Sequence, residues 1–362
     1  MGKLHDLAEL GQAIWLDYIQ RSLIASGELQ KLIEQGVRGV TSNPTIFEKA
    51  IAGSHDYDED LKMFAREGRA IHEIYESLVL CDIARTADLF KPVYDHTGGL
   101  DGYVSLEVNP QLAYDTPDTI KEAKRLFNIL GKPNVMIKVP ATDAGIPAVE
   151  ALIADGVNVN VTLLFSVDQY GKAAEAYLKG LEKHLSTGGN IGKVSSVASF
   201  FVSRLDTSVD TQLEKLGNKD LLGKAAIANA KVAFDRFRGI FTGPRWEGLA
   251  GKGARVQRVL WASTGTKNPR YPDTLYVDEL IGEHTVNTLP PATLKAFIDH
   301  GKVASTLNIG LDKAKDQIRQ LTKLGIDLAG ITKKLEEDGV GLFAKSFESL
   351  MNSIAQKKKE VS

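Results

Sequence analysis

Val135-Met136-Ile137-Lys138-Val139-Pro140-Ala141-Thr142 is a short, apolar, β-branched run that carries one lysine. Strands of this composition are buried on both faces, as in a parallel sheet covered by helices. Pro140 limits how far the strand continues. A buried ammonium is costly unless it is paired or loses its proton. Lys138 is therefore either a structural lysine held by an acid or an amine kept neutral and nucleophilic in apolar surroundings. Taken alone, the structural reading or a place at a sheet edge is the simpler one.

Seven further strand patterns surround this stretch: residues 13–18, 37–42, 102–108, 157–165, 193–201, 256–263 and 284–289. Helical patterns separate them. Ser26 reads as the N-cap of a helix over residues 27–35, and Pro44 suits the first turn of the next. Thr116-Pro117 opens a helix ending at Gly131, and Ser166 caps another over residues 167–185. A helix over 145–154 closes at Gly156, two more run near 205–216 and 220–241, and one ends at His300. Strands alternating with helices predict a parallel sheet, open or closed. There is no Gly-x-Gly-x-x-Gly after an early strand and no phosphate-binding Gly-x-x-x-x-Gly-Lys loop. Eight strands without a break in composition predict an α/β chain folded as one (β/α)8 TIM barrel over residues 1–362. Its additions are a helical insertion at about 56–90 and C-terminal helices at about 311–354. Ile71, Ile74, Leu78 and Ile83 have helical spacing, the acidic run Asp56–Asp60 reads as a solvated helix start, and Lys357-Lys358-Lys359 reads as a frayed end.

The totals narrow the function classes. A formal net charge of −2 over 362 residues leaves no broad basic surface for nucleic acid or anionic membrane, so any anion site is local. One cysteine, Cys81, excludes a disulfide framework, and no pair of the seven histidines has zinc-ligand spacing. No signal core or membrane-spanning run is present, which predicts a cytoplasmic protein.

Polar residues gather near the C-terminal ends of the strands, where barrels of this kind place their chemistry. They are Asp17, Asn43 just past the second strand, Ser105 and Glu107, Lys138, then Asn158, Asn160 and Thr162, then Ser195 and Ser199, and Ser263. Each has a plainer reading: Asn158 as a plug in the barrel floor, Asp17 as a loop cap, the serines as small packing residues. Together they make a polar core too expensive for packing alone. An amine adds to a ketose carbonyl, and the resulting iminium draws electrons from the adjacent carbon–carbon bond. Asp17 is placed to be the base for that cleavage, and Glu107 with Thr162 to hold a water.

These residues resemble the transaldolase family. The resemblance rests on Thr41-Ser42-Asn43-Pro44-Thr45, residues 104–108, Ile137-Lys138-Val139-Pro140-Ala141-Thr142, residues 158–166 and Ser199-Phe200-Phe201-Val202-Ser203-Arg204-Leu205-Asp206. With residues 261–269 the pattern resembles the longer bacterial subfamily. It implies a Schiff-base barrel without metal or organic cofactor. Such enzymes move a dihydroxyacetone unit from sedoheptulose 7-phosphate to glyceraldehyde 3-phosphate in the non-oxidative pentose phosphate pathway. Lys138 matches the family's covalent lysine, Asp17 its acid–base aspartate, and Glu107 and Thr162 the pair acting through water. Asn43, Asn160 and Ser199 match residues that hold the dihydroxyacetone hydroxyls, Phe201 an active-site aromatic and Arg204 a phosphate-binding arginine. Shorter members carry a second phosphate-binding arginine just after the serine matching Ser263. Here Thr264-Gly265 stands in that place, leaving Lys267 or Arg270 to supply the charge. The partners implied are phosphorylated sugars, with no nucleic acid and no membrane. The added helices are a lid, a homo-oligomer surface or extra packing. A fructose-6-phosphate aldolase and a non-catalytic sugar-phosphate-binding barrel are the competing readings; such aldolases are shorter and tend to have tyrosine where Phe201 stands.

Overall fold

The first strand, β1 (Gln12–Leu16), pairs along its whole length with the last, β8 (Thr285–Leu289), from Gln12 opposite Thr285 to Leu16 opposite Leu289. That pairing closes a parallel barrel in the order β1 to β8, in a computed structural model that describes residues 2–361. Between them lie β2 (Val37–Thr41), β3 (Tyr103–Glu107), β4 (Val135–Pro140), β5 (Val159–Leu164), β6 (Ser196–Phe201) and β7 (Arg258–Ala262). The (β/α)8 expectation is therefore borne out.

Alternation along each strand sorts the side chains. Val104, Leu106, Ile137, Val139, Val159 and Val161 face outward into the layer shared with the helices. Trp15, Tyr103, Met136, Val197, Leu260 and Val286 fill the barrel interior. Each such side chain contributes about 1.5–3 kcal/mol on burial. Gly39 is glycine for a steric reason: a Cβ there would stand 2.7 Å from the Trp15 ring.

Before β2 come α1 (Lys3–Glu9), α2 (Arg21–Ala25) and α3 (Glu28–Glu34). Ser26 does not cap a helix over 27–35. Gly27, at φ 78°, is the N-cap of α3, and Ser26 closes α2 instead. After β2, α4 (Pro44–Ala52) is capped by Asn43, whose Oδ1 accepts from the Ile46 amide at 2.9 Å. The insertion forms α5 (Asp58–Arg66) and α6 (Ile71–His96), running past residue 90. Its acidic run is docked as well as solvated: Asp56 accepts from the Ser22 amide, and Asp60 pairs with Arg21, which also pairs with Asp82 at 3.1 Å. Then α7 (Thr116–Leu130), ended by Gly131 at φ 57°, and α8 (Gly145–Ala154) flank β4. α9 (Val167–Ser186) starts with a capping box of Ser166 and Gln169. α10 (Ser203–Lys215) follows β6, then α11 (Ala225–Ile240) and α12 (Gly243–Ala250); α13 (Leu275–Asp278) precedes β8 and α14 (Pro291–His300) follows it.

The chain ends with α15 (Leu311–Lys323) and α16 (Leu328–Val361). α16 crosses the C-terminal end of the barrel, where Val340 and Phe343 join the interior cluster. Its lysine tail is not frayed. The helix continues through it, Lys357 donates to the Ser54 carbonyl at 2.6 Å, and Lys358 donates to that of Arg69 at 2.5 Å. Among the described residues no helix is long and apolar enough to cross a membrane, and no group of three or more His, Cys, Asp or Glu side chains is placed to hold a metal ion.

Candidate active site

Strand register sets the level of the polar residues. Glu107 lies opposite Lys138, Lys138 opposite Asn160, and Thr162 is one inward position higher, opposite Pro140. Above them a cavity of about 450 Å³ opens at the C-terminal ends of the strands. It is lined by Asp17, Asn43, Lys138, Thr162, Ser199, Phe201, Arg204, Ser263 and Lys267.

The Lys138 side chain is 5% exposed. Its Nζ donates to the Ser42 carbonyl at 3.0 Å and lies 3.2 Å from Glu107 Oε2, beneath the Phe343 ring at 5.8 Å from its centroid. Burial pushes the Glu107 carboxyl up, only partly countered by the Lys138 charge. Both Glu107 oxygens and the Thr162 hydroxyl lack an aligned hydrogen-bond partner among the described residues. Buried polar atoms of this kind take their partners from water or a ligand. Glu107 does not line the mouth cavity; it forms the wall behind the lysine.

Asp17 follows β1. Its amide donates to the Leu289 carbonyl at 2.8 Å, and its Oδ1 accepts from the Thr41 hydroxyl at 2.7 Å. Thr41 Oγ1 is in turn 2.6 Å from Thr288 Oγ1. Burial raises the Asp17 carboxyl above its ordinary range, against the pull of Lys138, Thr41, Lys267 and Arg204.

Asn160 lies below the cavity and does not line it. Its Oδ1 accepts from Ser199 Oγ at 2.7 Å and its Nδ2 donates to Ser105 Oγ at 3.1 Å, bracketing β3, β5 and β6. Asn158 and Ser195 have their plainer roles. Asn158 bonds the carbonyls of Pro133 and Val135 and the Ser195 amide, and Ser195 accepts from Tyr103 at 2.7 Å. Both belong to the barrel floor.

The opposite wall is cationic. Arg204 stacks over Phe201 at 5.4 Å, and burial lowers its proton affinity. Lys267 is lowered too, first by burial and then by repulsion from Arg204 and Lys49. Arg270 stands outside, exposed and paired with Glu214 at 2.6 Å, so of the two cations expected after Ser263 only Lys267 reaches the cavity. Ser263 itself, at φ 55°, and Leu163, at φ 59°, hold left-handed backbone at the ends of β7 and β5, strain of the kind kept at functional rims.

Sequence reasoning missed Lys49, Thr41, Thr288 and Phe343, which also line the cavity. Two had a readable signal. Thr45, Ile46 and Lys49 share one face of α4 at helical spacing, and Thr41 is two residues beyond inward-facing Gly39. Phe343 had none, because nothing local says which barrel end a distant helix crosses. The arrangement sets an amine beside two carboxyls that burial disposes to carry protons, facing cations suited to a phosphate dianion.

The family model described as Transaldolase/Fructose-6-phosphate aldolase matches residues 14–354. The protein named Transaldolase 2 from Nostoc sp. is 48% identical over 374 residues, spanning 99% of this chain and 98% of its own length. The protein named Transaldolase from Trichodesmium erythraeum is 46% identical, with 99% and 98% covered. One of the same name from Neisseria meningitidis serogroup A is 48% identical over 348 residues, with 96% and 98% covered.

Proposed function

The chain belongs to the transaldolase/fructose-6-phosphate aldolase family, an enzyme family, and from that premise we propose that it transfers a dihydroxyacetone unit from sedoheptulose 7-phosphate to glyceraldehyde 3-phosphate through a Schiff base on Lys138. The products are erythrose 4-phosphate and fructose 6-phosphate, and the setting is the cytoplasmic, non-oxidative pentose phosphate pathway. The observation that carries this reading is the 5% exposed Lys138 at the cavity floor, 3.2 Å from Glu107 and with Asp17 across the same space.

In this mechanism Arg204 and Lys267, with Lys49 beside them, hold the phosphate and bring the ketone carbon to Lys138 Nζ. The N–C bond forms and the carbonyl oxygen leaves as water, with one proton from the amine and one from Glu107. Thr162 holds that water against the Glu107 carboxylate. Asp17 then takes the proton of the C4 hydroxyl. The C3–C4 bond breaks, its electron pair enters the iminium, and the aldehyde leaves an enamine behind. The acceptor aldehyde is attacked by C3, Asp17 returns its proton to the new alkoxide, and hydrolysis reverses the first step. Asn43 and Ser199 hold the dihydroxyacetone hydroxyls, with Asn160 fixing Ser199. Phe201, which has no hydroxyl to hold a second water, favours transfer over release.

Borohydride with fructose 6-phosphate should leave a reduced adduct on the peptide carrying Lys138, seen by mass spectrometry. Lys138→Ala should lose both the adduct and roughly a thousandfold or more in turnover. Substantial residual turnover or an adduct on another lysine sinks the assignment. Equal rates of dihydroxyacetone release with and without acceptor would make the enzyme an aldolase.

A further inference from the structure

Glu107 opens on a second cavity. This one, of about 240 Å³, lies behind the lysine and is bounded by α6, α7 and α16. Glu107 and Tyr75 line it together with Phe347, while His72 and the pair of Glu76 and Arg125 stand on its more exposed helix faces. Lys138 lines the mouth cavity and Glu107 the rear one, so their 3.2 Å ion pair is the partition between the two.

We propose that the rear cavity is a separate water passage, through which the water of imine formation and hydrolysis exchanges with solvent while the sugar phosphate occupies the mouth. The inference rests on the Schiff-base reading of Lys138. Imine formation expels a water at C2, between Lys138 and Glu107, just when the mouth is filled by substrate. Glu107 has both oxygens free of aligned protein partners, and its side chain is 2% exposed. The rear cavity offers several times the roughly 30 Å³ that one water takes, and polar side chains punctuate a wall that is otherwise apolar, with Val79, Leu106, Leu126 and Phe347. Glu107 and Tyr75 stand at the inner end, and Arg125 and Glu76 farther out. Burial and the Glu107 charge together hold the Tyr75 hydroxyl protonated, so it serves as a donor to water beside the carboxylate. The step balances as before: the amine and Glu107 each give one proton to the departing oxygen, and the water leaves from the Glu107 side.

The test reads oxygen, not turnover. Fructose 6-phosphate is incubated with enzyme in 18O-water, and label entering the C2 carbonyl is measured by mass spectrometry, corrected for the uncatalysed rate and divided by the rate of borohydride trapping. His72→Trp places a bulky ring on an exposed position, and Leu80→Trp does the same on a half-buried one, both away from the chemistry. A passage at the rear predicts that each variant cuts exchange per trapping event about fivefold or more, while the rate of dihydroxyacetone transfer stays within about twofold because a retained water is reused. Unchanged exchange per trapping event in both variants overturns the passage and sends the water out through the mouth. Absence of any adduct on Lys138 in the unmodified enzyme brings down the Schiff-base reading instead, so the two failures are distinguishable.

Discussion

Lys267 and Arg270 are three residues apart in one loop, yet the environment separates them. Lys267 lines the cavity among like charges, and Arg270 stands outside it with its guanidinium spent on Glu214. A charge-assisted contact to phosphate is worth roughly 1.5–3 kcal/mol. Lys267→Met is therefore expected to raise the KM for glyceraldehyde 3-phosphate about 10- to 100-fold, with little effect on unphosphorylated glyceraldehyde. Arg270→Met should stay within about twofold for both. Steady-state kinetics with the two acceptors checks this, and an equal loss with both would remove Lys267 from the phosphate. At this scale the inward polar residues were legible because alternation along a strand puts Glu107, Lys138 and Thr162 on one face. Lys49 and Thr288 were not singled out, because a lysine on a helix and a threonine in a strand have common structural readings. Asn160 was legible as inward-facing, but its commitment to Ser105 and Ser199 depends on two other strands.

Elements were read best where a local chemical signal marks them. Asn43-Pro44, Thr116-Pro117 with Gly131, and Ser166 each sit at a boundary the structure keeps. Strand starts were read early at 157, 193 and 256, where β5, β6 and β7 begin at Val159, Ser196 and Arg258. The approaching segments share strand composition, but Asn158 bonds loop carbonyls and residues 191–193 form a 3-10 turn. Contacts between elements had no such signal, and Asp206 is an instance. It is 1% exposed on α10, accepts from the Ala226 amide on α11 at 2.7 Å, and accepts from Tyr276 on α13 at 2.8 Å. Burial pushes its carboxyl up to about 7. The folded state then keeps a proton that the unfolded state, with an ordinary carboxyl near 3.9, has released. The resulting stability is present in full below about pH 4 and is lost as pH rises to about 7, with an amplitude on the order of a few kcal/mol. Asp206→Asn retains an acceptor and cannot ionise. Its urea midpoint relative to the unmodified enzyme should thus climb between pH 4.5 and 7.5 and level off above. Parallel midpoint curves across that range would place Asp206 in the ordinary carboxylate range.

For the whole molecule, helix–strand alternation predicts a parallel sheet but not its closure. Closure depends on β1 meeting β8, and only the strand count argued for it. The path of α16 back over the mouth is equally non-local, although its lysine tail was visible as a charge run. Charge shows the same split between sum and placement. There are 44 basic and 46 acidic residues, a near balance, yet Arg204, Lys267 and Lys49 stand together at one cavity. A nearly neutral body gives little long-range attraction, so capture of a sugar phosphate depends on the local field of these cations. Such a field reaches about 10 Å at 0.1 M ionic strength and about 3 Å at 1 M. The kcat/KM for glyceraldehyde 3-phosphate should accordingly fall about tenfold from low salt to near 1 M. kcat should hold steady, since Lys138 meets Glu107 at 3.2 Å and Asp17 meets Thr41 at 2.7 Å, contact distances inside a cavity that salt does not screen. Lys49→Met should flatten that slope, and unphosphorylated glyceraldehyde should show almost none. Chloride competes directly for cations, so the series is run in two salts of different anions at matched ionic strength. A slope equally steep for the unphosphorylated acceptor would show that salt acts on the protein as a whole, and would remove the cationic wall from substrate capture.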